Sequence, residues 1–395
     1  MNSLKYLNKY FIKYKWRLLL GVLITVLAKI LTLKIPDFVG DSLNVVEDYQ
    51  LGKVTDLSEV KTVLLNNILL IIGVTLLGGF FTFLMRQTII VMSRMIEFDL
   101  KNEIYQQYQR LSINFYKKNR TGDLMNRISE DVSKVRMYFG PAIMYSLNML
   151  VSLAIGFSQM YAISPKLTLY TMIPFPILSV SIFVLSKQIN KRSTVVQQYL
   201  SKLTTFNQEF FSGINVVKSY AIEQEVIASF DEIADQSKEK NIELYKIQAL
   251  FFPLMILLIG LSNIIVLYIG GKQYIAGEIQ LGAIGAFVMY VNILTWPVAV
   301  VGWVTSMVQQ AEASQQRINE FLEEIPEIVN NTDVTTKVEG EIEFKDVSLT
   351  YEDTNITALN KVSLVIKKGE TLAILGKTGS GKSTIINLIS RLYDV

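Results

Sequence analysis

The sequence predicts an α-helical membrane protein with six transmembrane helices and long cytoplasmic helical extensions, followed by the first part of an α/β domain. Three observations support this fold class. Half of the 395 residues are hydrophobic, and the apolar residues concentrate in six long runs. Between the runs, apolar and charged residues mix at helical spacing. Beyond residue 340 the pattern changes to short β-type segments around a glycine-rich loop.

Each of the six apolar runs is long enough to cross a bilayer, which takes about 20 residues as a helix. They cover residues 17–35, 63–85, 141–163, 167–185, 250–270 and 281–307. Six buried core helices of a soluble protein would need far more polar covering sequence than the chain contains. The runs therefore predict a six-span transmembrane domain over residues 17–308, surrounded by the lipid bilayer.

The distribution of charge predicts the orientation of the spans. The formal net charge is only +3, but lysine and arginine concentrate in two long polar segments, residues 86–136 and 187–246. The positive-inside rule assigns these segments and both termini to the cytoplasm. Because topology explains the basic residues and no RNA- or DNA-binding module is visible, no nucleic-acid partner is expected.

The absence of cysteine and histidine excludes several classes of chemistry. Disulfide frameworks, thiolate metal sites and cysteine nucleophiles are ruled out. A histidine general base is ruled out as well.

The first 16 residues predict an amphipathic helix at the membrane surface. Leu4, Leu7 and Phe11 share one helical face, whereas lysines share another and aromatic residues are interspersed. Such a pattern is typical of a helix that lies in the membrane interface.

The two long polar segments predict helical hairpins that extend the spans into the cytoplasm. Helical patterns cover residues 95–110, 124–138, 195–211 and 216–234, with breaks near residues 119–122 and 212–213. Ordinary solvated helices are the alternative interpretation of the charged faces. After the sixth span, residues 309–339 read as a charged helix and a linker, with the polar stretch Asn330, Asn331, Thr332 and Asp333.

Residues 340–395 predict the beginning of an α/β domain. Short strands are expected at residues 341–344, 347–351 and 362–366, and a buried strand at residues 371–375. A helix is expected from Thr384 to Leu392. Between this last strand and the helix lies the spacing G-x-x-x-x-G-K-S of a phosphate-binding loop. It consists of Gly376, Lys377, Thr378, Gly379, Ser380, Gly381, Lys382 and Ser383.

This loop points to a nucleoside triphosphate. Its glycines allow successive backbone N–H groups to face an anion. Lys382 is placed to reach the terminal phosphates, and the Ser383 hydroxyl is placed to ligate magnesium. A chance match in a glycine-containing turn is the alternative, but it should arise only on the order of once in a hundred such chains. The strand–loop–helix order favours an incomplete α/β P-loop nucleotide-binding domain.

Several separated motifs resemble one family of transporters. Those of the first cytoplasmic hairpin are Phe115-Tyr116, Arg120-Thr121-Gly122-Asp123-Leu124, Arg127 and Asp131-Val132. Those of the second are Phe206, Glu209, Gly213-Ile214, Val217-Lys218-Ser219-Tyr220 and Glu223. Further along stand Ala286-Phe287, Tyr290, Trp296-Pro297 and Arg317-Ile318. In this order they are similar to half-transporters of the ATP-binding cassette (ABC) exporter family.

The resemblance implies a cofactor, a partner and a mechanism. ATP and magnesium would bind at residues 376–384, with Tyr351 stacking on the adenine; a plain strand-edge tyrosine is the alternative. The hairpin tips, roughly residues 112–120 and 204–212, would dock on nucleotide-binding domains as coupling helices. A second half-transporter subunit, identical or different, would complete the transporter. It would export hydrophobic or amphipathic small molecules from the cytoplasm across the bacterial cell membrane by alternating access.

The spans contain few charges and several aromatic, amide and thioether side chains. They include Tyr145, Asn148, Gln159, Asn263, Met289, Asn292, Trp296, Trp303 and Met307. Such side chains suit drugs or lipids as substrates. Most of them are expected to serve in packing between helices.

The sequence departs from the family pattern after the phosphate loop. The family continues with a signature motif, an acidic strand with the catalytic glutamate and a switch histidine, and none of these is within the 395 residues. We therefore expect these residues alone not to hydrolyse ATP, and we assign no catalytic residue. The alternative function is a non-catalytic membrane protein that dimerises with or modulates a full-length transporter subunit.

Overall fold

The computed structural model describes residues 3–330 and 337–395, and it is mostly helical. The helices are α1 Asn8–Lys13, α2 Lys15–Thr32, α3 Ile35–Gln50, α4 Leu57–Arg110, α5 Ile113–Lys118, α6 Thr121–Asn126, α7 Val132–Met137, α8 Ile143–Ile163, α9 Pro165–Met172, α10 Pro174–Ser212, α11 Ile214–Tyr220, α12 Glu223–Gln248, α13 Phe251–Ile275, α14 Leu281–Ala299, α15 Val301–Leu322 and α16 Lys382–Ile389. The strands are β1 Ile342–Tyr351 and β2 Ile356–Ile366. A short 3₁₀ helix covers Ser3–Leu7, and π turns cover Arg127–Asp131 and Tyr138–Ala142. The predicted linker residues Asn331, Thr332 and Asp333 lie outside the described part, as do Met1 and Asn2.

Within the described residues, six helical segments are long and apolar enough to cross a membrane. They run over Lys15–Gln50, Leu57–Arg110, Thr121–Ile163, Pro165–Ser212, Glu223–Ile275 and Leu281–Leu322. Each is much longer than its apolar run; α4 alone has 54 residues, or about 80 Å at 1.5 Å per residue. The prediction of a helical membrane protein whose spans continue as polar helices is confirmed.

The described residues form two compact units. The first, here called the sheet unit, comprises residues 3–10, 93–137, 310–330 and 337–395 and contains both strands. The second, here called the span unit, comprises residues 11–92 and 138–309 and contains most of the apolar runs.

The core of the span unit gathers side chains from five of the six predicted spans. Leu33, Met160, Leu167, Val266 and Phe287 are all essentially inaccessible. A second, smaller apolar cluster joins the remaining span to its neighbours through Ile24, Met85, Ile89 and Met144. All six predicted spans therefore contribute buried apolar side chains to one unit.

Two helices of the span unit cross at unusually short range. A Cβ on Gly282 of α14 would lie 1.9 Å from the carbonyl oxygen of Gly40 in α3. The Gly282 N–H donates to Asn44 Oδ1 at 2.6 Å. Close by, the buried Tyr290 hydroxyl donates to Asp37 at 2.7 Å. Glycine is required at residue 282 because backbone, and not a flexible side chain, occupies the space beside it.

The first predicted span is interrupted. The apolar run over residues 17–35 is divided between α2 and α3 by a break at Leu33 and Lys34, with Pro36 in the first turn of α3. Proline is favourable there because its missing N–H would have no partner in the first helical turn.

The N-terminal amphipathic segment packs against protein with its apolar face. Leu4 and Leu7 are buried in the sheet unit, and Lys9 forms an ion pair of 2.6 Å with Glu103 of α4. Tyr10 donates to the same carboxylate at 2.6 Å. The membrane-surface location of this segment stays a prediction.

The sheet unit contains one antiparallel strand pair, with Ile342 opposite Ile366 and Tyr351 opposite Ile356. The two strands predicted at residues 341–344 and 347–351 are one strand, interrupted by a register shift at Asp346, whose φ is 49°. A local bulge of this kind bends a strand without ending it.

The prediction of a buried strand at residues 371–375 is wrong. This segment has no β-structure, and Leu375 is 94% exposed. No strand of the described residues pairs with it, so its backbone lacks the ladder of hydrogen bonds that defines a strand. The predicted helix after it begins two residues earlier, at Lys382, and ends at Ile389.

Candidate functional site

The glycine-rich loop, residues 376–383, lies between residues 371–375 and helix α16 and overlaps the start of that helix. Gly379 and Gly381 have φ values of +82° and +84°, which favour glycine. A Cβ on Gly381 would lie 2.3 Å from the carbonyl oxygen of Ala358 in β2, so the loop passes directly against this strand. Gly381 also forms the N-terminal boundary of α16.

The Lys382 ammonium lies across the curve of the loop. Its Nζ donates to the carbonyl oxygens of Gly376 and Lys377 at 2.8 and 2.7 Å. Lys377, Thr378 and Ser380 are exposed around it. A cation held between backbone carbonyls at the start of a helix can exchange these neutral partners for an anion, which makes stronger hydrogen bonds.

The loop fits a phosphate group. A Cβ on Gly376 would lie 2.6 Å from Ser380 Oγ, so a larger residue would require the Ser380 side chain to move. The N-terminal amides of α16 add a partial positive charge that attracts anions. Ser383, in the first turn of this helix, is exposed and accessible to a bound ion.

Tyr351 connects the end of β1 to the first turn of α16. Its hydroxyl lies 3.0 Å from the hydroxyl of Thr384, which is 4% exposed. Its ring meets the ring of Tyr393 edge to face, with centroids 5.2 Å apart. The structure thus brings Tyr351 and Thr384, two residues of the predicted site, into direct contact.

Lys117 of α5 covers the aromatic pair and was missed by the sequence analysis. Its Nζ lies 4.7 Å from the centroid of the Tyr351 ring and 5.2 Å from that of Tyr393. It also lies 3.7 Å from the Asp353 carboxylate. Hydrogen bonding to Tyr393 raises the pKa of Lys117 above its ordinary value, so the side chain stays charged. Nothing in the sequence pairs residue 117 with residue 351.

Helix α5 and the preceding Ser112 contact the apolar cluster of the strand pair and the carboxylate of Glu327. Ile113 packs on the apolar cluster that includes Phe344 and Tyr393. Ser112 and Asn114 donate to the Glu327 carboxylate at 2.9 and 2.8 Å. The predicted tip at residues 112–120 therefore contains a short helix that contacts the α/β segment.

The second predicted tip has a different structure. Residues 204–212 are the last turns of α10, and the separate short helix is α11, which follows Gly213. Helix α11 ends at Tyr220, and the next residue, Ala221, has a left-handed φ of 54°. The position of this tip was predicted too early because residues 204–212 continue the helical pattern of α10 without a break.

Comparison with known protein families identifies the chain. Residues 18–298 match the ABC transporter transmembrane region. Residues 359–395 match the ABC transporter family, in the segment that contains the glycine-rich loop. The chain belongs to the ABC transporter family. The resemblance inferred from the motifs is confirmed, and family membership implies that the loop segment of this ABC protein is nucleotide-binding.

Individual relatives of the chain are named for multidrug resistance or for lipid flipping. The multidrug resistance-like ATP-binding protein MdlA of Escherichia coli is 30% identical over 75% of this chain and 50% of its own length. The protein of the same name from Buchnera aphidicola (subsp. Baizongia pistaciae) is 29% identical over the whole chain and 68% of its own length. An ATP-dependent lipid A-core flippase of Syntrophus aciditrophicus is 29% identical over 75% of the chain and 49% of its own length. The chain spans about half the length of several of these relatives.

Proposed function

We propose that this ABC protein is part of an exporter that uses ATP to move hydrophobic or amphipathic small molecules out across the cell membrane. The proposal is supported by six candidate spans and a glycine-rich phosphate loop in one polypeptide. Relatives named for multidrug resistance and for lipid A-core flipping support drugs or lipids as substrates. Alternating access is the mechanism: a cavity between the spans faces one side of the membrane and then the other.

The observation that carries the proposal is the position of Lys382 across the glycine loop, at the start of α16. In the proposed site, the loop amides and Lys382 bind the phosphates, and the Ser383 hydroxyl ligates magnesium. Tyr351 stacks on the adenine, and its bond to Thr384 fixes the distance between base and phosphate subsites. Bound ATP would supply the free energy that favours one conformation over the other.

Magnesium would have the Ser383 hydroxyl and the phosphates among its ligands. Within residues 3–330 and 337–395, no group of three or more acidic, cysteine or histidine side chains could hold a metal ion. A hydroxyl and phosphate oxygens are oxygen ligands that suit Mg²⁺, which also keeps several waters.

The proposed partner is a second half-transporter subunit, identical or different. One transport cavity formed by two such subunits is consistent with the exposed apolar surfaces of the spans, such as those of Leu76, Ile256 and Leu257. Lipid covers the remainder of these surfaces. The cytoplasmic location of the glycine loop follows from the positive-inside rule.

Two measurements test the proposal. Purified protein should bind a fluorescent ATP analogue in the presence of magnesium, and Lys382→Ala should weaken binding by tenfold or more. Lys368→Ala is the matched control, because Lys368 is an exposed lysine whose partner is Glu339, at 3.5 Å. Inverted membrane vesicles from cells that express the protein from its own gene should accumulate fluorescent amphiphiles when ATP is added. Accumulation that persists in the Lys382→Ala strain would contradict ATP-driven export by this protein.

A further inference from the structure

A cavity of about 440 Å³ opens in the span unit at the end of the spans assigned to the cytoplasm. It lies between α4, the turn before α8, α8 itself and α15. Arg86 directly follows the second apolar run, whereas Tyr145 and Trp303 lie about one helical turn inside the third and sixth runs. These positions place the cavity near the boundary between lipid tails and head groups.

The walls of this cavity are apolar and aromatic. The rings of Tyr145 and Trp303 lie 5.1 Å apart at 58°, and they form one side. Met144 and Ile90 line the cavity as well, and behind them lies the apolar cluster around Met85. A wall of this composition binds the apolar body of a ligand without fixing its shape.

Arg86 gives the cavity a single charge. Its guanidinium is exposed, and among residues 3–330 and 337–395 it has neither an ion-pair nor a hydrogen-bond partner. None of the residues that line the cavity is acidic; the other polar groups belong to Gln87, Tyr145 and Trp303, and all of them are neutral. A guanidinium beside an apolar wall is complementary to one carboxylate, sulfonate or phosphate, which it can bind with two parallel hydrogen bonds.

We propose that this cavity is a binding site for anionic amphiphiles: Arg86 binds the acidic group, and Tyr145 and Trp303 contact the apolar body. The inference rests on the proposed export function, because it names the chemical class of the transported compound. It selects anions over cations of the same shape. Arg86 is its specificity-determining residue.

A pair of probes with one body and opposite charges tests this site. Pyrenebutyrate is the anion, and pyrenebutyltrimethylammonium is the cation. In a Trp16→Phe/Trp296→Phe background, Trp303 is the sole tryptophan. Energy transfer from Trp303 to pyrene then reports binding to the purified chain in a neutral maltoside detergent. The anion is expected to bind about tenfold more tightly than the cation, as one charged hydrogen-bonding contact warrants.

Three variants test whether the preference for the anion depends on Arg86. Arg86→Gln should abolish the preference for the anion while the cation still binds, which shows that the cavity is intact. Arg86→Lys should keep most of the preference. Arg17→Gln is the matched control, because Arg17 is an exposed arginine at the cytoplasmic end of the first span but does not line the cavity.

Equal binding of the two probes to the unaltered chain would overturn the proposal. So would a preference for the anion that survives Arg86→Gln, or one that Arg17→Gln removes equally, since the effect would then belong to the membrane surface. Because the probe-binding assay contains no ATP, a negative result would reject the proposed anion site but not the proposed ATP-driven export. A loss of ATP-dependent accumulation with intact probe binding would instead count against the proposed export function.

Discussion

The ammonium group of Lys117 lies 4.7 Å from the centre of the Tyr351 ring, so a helix that follows the second span touches the residue proposed to stack on adenine. A cation over an aromatic face is attracted by the negative face of the ring. An adenine that stacks on this face must displace the ammonium. Nucleotide binding and the position of α5 are therefore linked through one aromatic face.

Replacing Lys117 by methionine should strengthen the binding of ATP. The cation–π contact that the base must break is worth about 0.5–1 kcal/mol, which corresponds to a two- to fivefold gain in affinity. Titration with a fluorescent ATP analogue measures the change. Lys118→Met is the control, because Lys118 is the adjacent exposed lysine of the same helix. Unchanged or weaker binding by the Lys117 variant would show that the ring face is not shared.

The side chain of Tyr351 should matter for the base and not for the phosphates. Tyr351→Ala removes a stacking surface worth about 1–3 kcal/mol, so ATP binding should weaken at least fivefold. Tyr351→Phe keeps the ring and should retain most of the affinity, despite losing the bond to Thr384. Inorganic tripolyphosphate, which has no base, should compete equally well with all three proteins. A loss of tripolyphosphate binding in the alanine variant would point to a misfolded loop and not to lost stacking.

A methyl group at the crossing of α3 and α14 should destabilise the span unit. Gly282→Ala would place its Cβ 1.9 Å from the Gly40 carbonyl oxygen, so the two helices must separate. Overpacking of this kind costs about 1–3 kcal/mol or more. Thermal unfolding in detergent should show a drop of several degrees. Gly271→Ala is the control: its Cβ would meet nothing within 4 Å, and its stability should be unchanged or higher.

The sheet unit should depend on a buried carboxylate. Asp131 is 1% exposed and accepts from Arg317 Nε at 2.9 Å and from Ser314 at 2.8 Å. Asp131→Asn removes the negative charge between these donors, and we expect a loss of about 1–3 kcal/mol. The melting temperature should fall accordingly. Glu130→Gln should have little effect, because its ion pair with Lys134 is exposed and 3.6 Å long.

The spans and the glycine loop could be predicted from the sequence because both signals are local. An apolar run of about 20 residues has few stable alternatives to a membrane helix. Gly379, Gly381 and Lys382 lie within four consecutive residues, and both glycines have the positive φ values that favour glycine.

The remaining features depend on contacts between segments far apart in the sequence. Lys117 covers Tyr351, and Arg86 joins Trp303 at one cavity, only because the helices bring them together. The strand predicted at residues 371–375 is the reverse error, because the sequence predicted an element that the structure does not contain. Its apolar residues suit a buried strand, but a strand also needs a hydrogen-bonded neighbour, and no local pattern can supply one.

The docking of α5 has a consequence for the order in which the chain acquires its structure. Ile113 and Lys117 are synthesised long before the strands and Tyr393 that cover them. Until those residues leave the ribosome, Ile113 lacks the apolar cluster on which it packs and is exposed to chaperones and to aggregation. Closing so long a loop costs only slightly more entropy than closing a short one, but the search is slow. Residues more than 200 positions further along the chain therefore determine when this short helix becomes stable.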